Sequence, residues 1–515
     1  MSADAIRHKV MWDRLLAVVE EQAQTLLRTA FSTIVREAGD LSAGVFDLDG
    51  RMLAQAVTGT PGHVNSMAES VRHFIERFPV VTMAEGDHYV TNDPWRGTGH
   101  LNDFVVTSPA FHKGKLVALF SCTSHLIDVG GIGFGPDGTD VLMEGLSVPF
   151  LKLVDRGALN ETLMAMVRAN SRLPVESEGD VHSLIACNEV GARRLSQMMD
   201  EHRLDGLEAL ADHIVSTSRR AVLERITRLP RGTTKSQMTV DGLDEPITLA
   251  AALTVGEDGV RVDFAGTSPA VGRGINVPLA YTRAYTAFGL ACAIAPDVPN
   301  NAGSLSGWVI DAPRGSILNA PRGAPVSSRH VIGQMLPDVV FGALAPLIPH
   351  VVPAEGTSCL WNITLRGGTG TPDAFAVTIT TNGGTGARPD KAGLSATAFP
   401  SGVRGSPVEV MEAAAPLVFW RRELREGSGG TGRHRGGDGQ VIEIAHRDGA
   451  PMELLAAFDR IRFPPRGRAG GSDGAPGRLA TSEGRTLAGK GTQPIAPGER
   501  LIVETPGGGG HGEPG

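Results

Sequence analysis

Residues 100–128 read HLNDFVVTSPAFHKGKLVALFSCTSHLID, with near-copies of one tetrad, HLND and HLID, at the two ends. The apolar runs between the tetrads predict two strands, and Lys113-Gly114 predicts the turn that joins them into an antiparallel hairpin. Such a hairpin returns His125 to a position opposite Asn102 and Asp103. The pattern therefore predicts that the two tetrads meet at one end of the hairpin.

This arrangement would bring imidazoles and a carboxylate together. Gly97-Thr-Gly99 predicts a turn before His100, which lets His100 and Asp103 face the same way, and the hairpin adds His125. Imidazoles with carboxylates form a ligand set for a divalent metal such as Zn, Mn or Fe(II). Asp128 and Asp93 are the candidates to hold the second ring nitrogen of a ligand histidine. Such clusters also cap turns and pair with one another, so spacing alone leaves a purely structural role open.

Length and composition favour a large, loop-rich protein. The chain has 515 residues, 41% of them hydrophobic, with 66 Gly and 33 Pro, which indicates two to four domains or one multi-layer body with many tight turns. A formal net charge of −8 without a long basic run disfavours binding to nucleic acid or to anionic membranes. Four scattered cysteines and no recognisable signal peptide or long apolar run predict a cytoplasmic protein without a membrane span.

Hydrophobic periodicity predicts the α+β class. We expect one amphipathic helix from about residue 5 to residue 38, closed by Gly39, and a hairpin at Asp49-Gly50. The predicted fold is multi-layer and loop-rich, with mixed antiparallel β-sheets, a long N-terminal helix and a central helical segment. The expected regions are a metal-site α+β region with the N-terminal helix (1–230), a mixed β/α region (231–420) and a Gly/Pro-rich β and loop region (421–515).

Nucleotide-binding motifs are missing from the sequence. Gly232-Thr-Thr-Lys-Ser lacks the glycine that precedes the lysine of a P-loop. Gly133-Phe-Gly-Pro-Asp-Gly138 matches G-x-G-x-x-G by letters, but Pro-Asp-Gly indicates a turn and not the start of a helix. The glycine run at 507–510 is either flexible or lines a ligand, and the sequence leaves both open.

Motifs along almost the whole chain resemble those of the hydantoinase B family. That family includes B-type subunits of N-methylhydantoinase, the matching half of 5-oxoprolinase, lactamase relatives, and subunits of acetone and acetophenone carboxylases. The central motif is Gly86-Asp-His-Tyr-Val-Thr-Asn-Asp-Pro-Trp-Arg-Gly-Thr-Gly-His-Leu-Asn-Asp. The shorter ones are, in order, Asp40-Leu-Ser, Phe46-Asp-Leu-Asp-Gly-Arg, His63-Val-Asn-Ser-Met, Ser124-His-Leu-Ile-Asp-Val-Gly-Gly, Asn188-Glu-Val-Gly-Ala-Arg-Arg194, Asn276-Val-Pro-Leu-Ala, Arg462-Phe-Pro-Pro and Thr505-Pro-Gly-Gly-Gly-Gly.

The resemblance implies a reaction shared between two subunits. A hydantoinase A-type partner would bind ATP and phosphorylate a carbonyl oxygen of the substrate, and this B-type chain would receive the intermediate within a hetero-oligomer. The divalent metal centre (Zn, Mn or Fe) of related enzymes matches Asp40, His100, Asp103 and His125, and Asp128 would orient His125 or accept a proton. The implied activity is ATP-dependent hydrolysis of a cyclic amide, such as a hydantoin, a creatinine-derived ring, oxoproline or a lactam.

Two other functions stay open at the level of sequence. Within the same family, the chain could be a subunit of an ATP-dependent ketone carboxylase of the acetone or acetophenone type, in which an activated enol attacks carbon dioxide. The predicted ligands do not discriminate this reaction from amide hydrolysis. Alternatively, the chain could be a non-catalytic scaffold for an ATP-hydrolysing partner, with a structural metal. A coordination position open to water would favour catalysis, and a closed set of protein ligands would favour the scaffold.

Overall fold

The computed structural model describes residues 3–371 and 373–514, and it confirms the predicted α+β class. Among these residues, no helix combines the length and the apolar character needed to cross a membrane. The helices in chain order are α1 (Ala3–Thr29), α2 (Thr33–Arg36), α3 (Pro61–Arg77), α4 (Glu161–Asn170), α5 (Pro174–His202), α6 (Glu208–Ile226), α7 (Leu279–Ile294), α8 (Ala302–Leu305), α9 (His330–Gly333), α10 (Leu336–Leu344) and α11 (Val408–Ala414).

The first sheet contains the predicted hairpin at its centre. Its strands are β1 (Leu41–Phe46), β2 (Met52–Gln55), β3 (His88–Thr91), β4 (Asp103–His112), β5 (Lys115–His125), β6 (Leu151–Asp155) and β7 (Ala158–Leu159). Their order is β2-β1-β5-β4-β3-β6-β7, and every neighbouring pair is antiparallel. The β4–β5 turn has φ of 50° at Lys113 and 77° at Gly114, as a two-residue hairpin turn of type I′ requires. Asp103 pairs with His125, so the predicted return of the chain is confirmed.

Three four-stranded sheets follow along the chain. Their orders are β11-β10-β9-β8, β13-β12-β16-β18 and β14-β15-β19-β17, with one parallel pair, β10–β11, among the described strands. The bounds are β8 (Gly232–Val240), β9 (Ile247–Val255), β10 (Val260–Asp263), β11 (Trp308–Asp311), β12 (Ile363–Gly367), β13 (Phe375–Ile379), β14 (Leu417–Leu424), β15 (Gln440–His446), β16 (Met452–Ala457), β17 (Arg478–Thr481), β18 (Lys490–Ile495) and β19 (Arg500–Glu504).

The N-terminal helix ends earlier than predicted. Helix α1 stops at Thr29 and α2 starts at Thr33, where the sequence predicts one helix to residue 38. The carboxylate of Asp180 on α5 accepts the backbone N–H groups of Phe31 at 2.8 Å and of Ser32 at 3.1 Å. Because a long-range carboxylate binds these two donors, they do not continue the helical ladder.

Both faces of the first sheet are covered, which places the hairpin inside the protein. Phe104 and Val106 of β4 pack in a core with residues of α1 and α5, and Val105 packs with α3 on the opposite face. The largest core cluster has members from Val222 to Val503 and joins the other three sheets to α7 and α10. The division at residues 230 and 420 stays a prediction.

Glycine-rich segments pack backbone against backbone in the C-terminal part. Gly508 N–H donates to Gly437 O, and Gly437 N–H donates to Thr385 O, both at 2.9 Å. A Cβ on Gly508 would lie 1.9 Å from Thr385 O, so only glycine permits this approach. The run at 507–510 is buried and is not a flexible loop. We call the segments 383–386, 429–437 and 505–510 the glycine bundle.

We predict that Gly508→Ala lowers the free energy of unfolding by more than about 3 kcal/mol, because its Cβ meets a backbone atom that cannot rotate away. Gly272→Ala is the matched control, since no heavy atom lies within 4 Å of its added Cβ. We expect the control to stay within about 0.5 kcal/mol of the parent protein. Chemical denaturation of the two variants checks this, and equal stabilities would contradict close packing in the glycine bundle.

Candidate metal centre

The first sheet brings three of the four predicted ligands together at the ends of three neighbouring strands. Asp103 begins β4 and His125 ends β5, and they face each other in the register of the hairpin. Asp40 joins them because β1 runs beside β5, with Leu41 paired to Ser124. The backbone N–H of His125 also donates to Asp40 O at 3.2 Å. Sheet pairing therefore explains how a residue remote in sequence reaches the hairpin end.

His100, Asp103 and His125 each offer a ligand atom within 4.8 Å of the others, and all three side chains are buried. His100 Nε2 lies 2.6 Å from Asp103 Oδ1, and His125 Nδ1 lies 3.4 Å from the same oxygen. Asp40 lies slightly farther out, with Oδ2 at 4.0 Å from His125 Nδ1. The structure thus brings together the four residues predicted as ligands, with Asp40 at the rim.

The hydrogen bonds of His100 are compatible with a cation shared by His100 and Asp103. Its Nδ1 lies 2.9 Å from the backbone oxygen of Ser327, which can only accept, so Nδ1 carries a proton. Burial and the Arg329 guanidinium lower the pKa of His100 to about 3, so the neutral ring holds no second proton at pH 7. The lone pair of Nε2 then faces Asp103 Oδ1 at 2.6 Å. Two electron-rich atoms this close repel each other unless they share a cation, which is either a proton or a metal ion held by both.

The charge of Asp103 is compensated by side chains from several segments. Thr98 Oγ1 donates to Asp103 Oδ2 at 2.8 Å, and Arg329 Nη2 donates to the same oxygen at 2.5 Å. His63 Nε2 lies 3.0 Å from it. Burial lowers the pKa of His63, but Asp103 and Asp40 outweigh burial and raise the pKa above its usual value. The carboxylates of Asp103 and Asp40 therefore favour the protonated, positively charged form of His63.

Among the cavity residues that the sequence analysis did not predict, three carry basic side chains: His63, Arg329 and His330. His63 lies in the first turn of α3, two residues after Pro61, and its only sequence signal is its place in a motif of the resemblance. Arg329 lies 226 positions from Asp103, and His330 begins α9. An Arg-His pair at the start of an apolar helix carries no periodic signal, so spacing could not assign it to this site.

The cavity among these side chains has a volume of about 20 Å³. That is room for an ion or one water molecule. The ring of Phe134 covers it, with centroids 4.9 Å from His125, 5.9 Å from His100 and 5.6 Å from His330. Phe134 belongs to the glycine-rich segment 130–138, which we call the Phe134 loop. The site is therefore narrow and partly covered in this structure.

Asp128 is placed on the flank of the site. Its Oδ1 accepts from Gly130 N–H at 3.2 Å and from Arg172 Nη1 at 2.8 Å, and its Oδ2 accepts from Arg172 N–H and from Ser171 Oγ. These contacts hold the beginning of the Phe134 loop. The outer nitrogen of His100 is held by a main-chain carbonyl and not by a carboxylate. A role of Asp128 in orienting His125 or accepting a proton stays a prediction.

The fold and the site define an α+β protein with a buried imidazole–carboxylate cluster suited to one divalent cation. Comparison with known sequences assigns this protein to a family. The family model described as Hydantoinase B/oxoprolinase matches residues 4–514, so the chain belongs to that family.

Relatives and solved structures agree with this assignment. The chain is 30% identical over 544 residues to 5-oxoprolinase 1 of Arabidopsis thaliana, covering 99% of this chain and 42% of that protein. The crystal structure of an ATP-dependent caprolactamase from Pseudomonas jessenii matches with a TM-score of 0.90 at 25% identity, covering 100% of this chain and 92% of that one. A nucleotide-free acetone carboxylase shares the fold, with a TM-score of 0.88 at 19% identity over 99% of this chain and 76% of that one. The chain thus spans less than half the length of the plant relative.

We predict that His100→Ala abolishes stoichiometric binding of Zn²⁺ or Mn²⁺ while the chain stays folded, because the variant loses a ligand nitrogen from the cavity. His112→Ala is the matched control: His112 is also a buried histidine of this hairpin, at the opposite end, where its Nδ1 contacts Ser196 Oγ at 2.8 Å. Elemental analysis and circular dichroism of both variants provide the test. Full metal content in His100→Ala would contradict the assignment of the cluster.

Proposed function

We propose that this chain is the B-type, metal-dependent subunit of an ATP-dependent cyclic amidohydrolase. The observation that carries the proposal is the convergence of His100, Asp103 and His125 on one buried point, with the tautomer of His100 held by Ser327. Family membership and the likeness to a caprolactamase support a cyclic amide as the substrate. Hydantoins, oxoproline and lactams are the substrate class that we propose.

The proposed reaction divides its steps between two subunits. Amide resonance makes direct attack by water slow, and phosphorylation of the amide oxygen by an A-type partner would remove that resonance. Water would then add to the activated carbon, the ring C–N bond would break as a proton passes to the nitrogen, and a second water would release phosphate from the resulting acyl phosphate. This chain carries no P-loop sequence, so ATP would bind to the partner in a hetero-oligomer. The activated intermediate would then be hydrolysed at the centre formed by Asp40, His100, Asp103 and His125.

In this proposal the side chains of the centre have separate tasks. His100, His125, Asp103 and Asp40 would hold a divalent ion, with Zn, Mn or Fe as the candidates that suit nitrogen and oxygen ligands. Such an ion, when bound, supplies Lewis-acid polarisation of an oxygen. Arg329 balances the charge of Asp103 and stacks on the Tyr281 ring at 4.3 Å, which holds the guanidinium at the cavity wall.

Substrate entry would require the Phe134 loop to move. The cavity of about 20 Å³ is too small for an amide ring, and the Phe134 side chain lies against His125 and His330. Gly131 and Gly133 have φ of 59° and 95°, a backbone conformation that glycine adopts without the steric cost that it has for other residues. Closure around the intermediate would exclude bulk water from the reacting atoms.

The test is an assay of this chain purified in complex with an A-type subunit. We expect ATP-dependent ring opening of at least one of hydantoin, 5-oxoproline, 2-pyrrolidinone or caprolactam, without a need for bicarbonate. The complex with His100→Ala should hydrolyse none of them, and the complex with His112→Ala should keep its activity. Liquid chromatography with mass spectrometry of the opened products gives the readout.

The same assay separates the alternatives. Acetone and acetophenone are included with and without bicarbonate, and turnover of ketones alone, dependent on bicarbonate, would replace the hydrolase by a carboxylase. Product formation that survives loss of the metal in His100→Ala would assign this chain a scaffold role. Either result would overturn the proposed function.

A further inference from the structure

A buried carboxyl group, Glu144, is connected to His100 through one main-chain turn. Glu144 Oε1 accepts the N–H groups of Val326 at 2.7 Å and of Ser327 at 2.8 Å. The carbonyl oxygen of the same Ser327 accepts the Nδ1 proton of His100 at 2.9 Å. Glu144, Ser327 and His100 have exposed fractions of 3%, 2% and 1%, so water does not substitute for these bonds.

We propose that Glu144 is a positioning residue for the metal centre: it fixes the Ser327 carbonyl and, through it, the tautomer and ring orientation of His100. This inference rests on the proposed metal site and adds a residue that does not touch the metal. Groups that hold the outer nitrogen of a ligand histidine change metal affinity by about 10–100-fold when they are removed.

The turn at 326–328 depends on Glu144 because it lies outside the sheets. In the interior, the N–H groups of Val326 and Ser327 need an acceptor, and a buried donor left unpaired costs about 1–3 kcal/mol. The turn leads directly into Arg329 and His330, which line the same cavity. A shift of this turn would therefore displace His100's acceptor and two cavity side chains together.

Glu144 is itself held in place by a short capped turn. Asp140 Oδ1 accepts the N–H groups of Leu142 at 2.8 Å and of Met143 at 3.2 Å, which shapes the helical turn that ends in Glu144. Met143 O in turn accepts the N–H of Ile132, in the Phe134 loop, at 3.0 Å. Ser327 Oγ donates to Gly135 O of that loop as well. The turn that ends in Glu144 is thus bonded both to the Phe134 loop, which covers the site, and to Ser327, whose carbonyl orients His100.

Glutamine is a close substitute for Glu144. Burial raises the pKa of Glu144 to about 8, so the side chain is mostly uncharged at pH 7, as a carboxamide is. The amide oxygen of glutamine can accept the same two N–H groups, whereas alanine leaves both without an acceptor. Glu144→Gln keeps the acceptor oxygen and removes the carboxyl group, whereas Glu144→Ala removes both. Comparison of the two variants therefore shows whether the acceptor is what the site needs.

Asp180 supplies the control for general destabilisation. Its Oδ1 also accepts two backbone N–H groups, of Phe31 and Ser32, and it is fully buried, but neither partner lines the metal cavity. Asp180→Ala therefore removes the same kind of interaction outside the site. A loss of metal affinity specific to Glu144→Ala cannot then be attributed to lowered stability alone.

The experiment measures Zn²⁺ affinity by chelator competition, and the visible spectrum of the Co²⁺ form, for the full-length parent, Glu144→Ala, Glu144→Gln and Asp180→Ala. We expect about 10-fold weaker Zn²⁺ binding and altered Co²⁺ bands in Glu144→Ala, the lower end of the range for a direct partner of a ligand histidine, because Glu144 acts through Ser327. Glu144→Gln and Asp180→Ala should stay within about threefold of the parent protein, with parental Co²⁺ bands.

Three outcomes would overturn the inference. The first is parental affinity in Glu144→Ala, and the second is an equal loss in Asp180→Ala, which would assign the effect to stability. The third is a loss in Glu144→Gln as large as that in Glu144→Ala. A parent protein that binds none of Zn²⁺, Mn²⁺ and Fe²⁺ would instead remove the proposed function and this inference together, so the two failures are distinguishable.

Discussion

The fully buried carboxylate of Asp103 is the constraint on which the rest of the structure depends. An ionised carboxylate in a protein interior is strongly destabilising unless it is paired and hydrogen-bonded. Here Thr98, Arg329, His63 and His100 surround it, and they come from the turn before β4, from the segment leading into α9 and from α3. These segments must all be packed before the charge is compensated. The site is therefore a product of the complete fold and not of the hairpin alone.

The parts of the site that the sequence predicted are those governed by local rules. The turn residues Lys113 and Gly114 and the two flanking strands define a hairpin, whose turn register alone would place His125 opposite Asn102. A register shift between Ala110 and Phe111 moves the pairing of His125 by one residue to Asp103, and the sequence analysis did not predict this shift. The α+β class followed equally from the switch between helical and alternating patterns. Asp40 needed the family resemblance, because its approach depends on the pairing of β1 with β5, which no local pattern specifies.

What the sequence could not predict depends on contacts between distant segments. Arg329 reaches Asp103 across 226 positions, and the early end of α1 follows from Asp180 capturing two backbone donors. The glycine bundle shows the same limit. A glycine run such as that around Gly508 indicates a backbone with few conformational restrictions. Its close packing inside the protein depends on the backbones of distant segments, which the run itself does not specify.

The narrow, partly covered cavity links substrate access to the geometry of the metal centre. Under the proposed function a cyclic intermediate must pass Phe134, and the Phe134 loop is bonded through Gly135 to the hydroxyl of Ser327, whose carbonyl orients His100. If the Phe134 loop moved alone, the hydrogen bond between Gly135 O and Ser327 Oγ would break. If the loop moved together with the 326–328 turn, His100 would lose its bond to the Ser327 carbonyl. Since Glu144 holds the main chain of that turn by two N–H bonds, the first path leaves the ligand geometry intact. These two bonds thus keep the centre in shape if the cover moves.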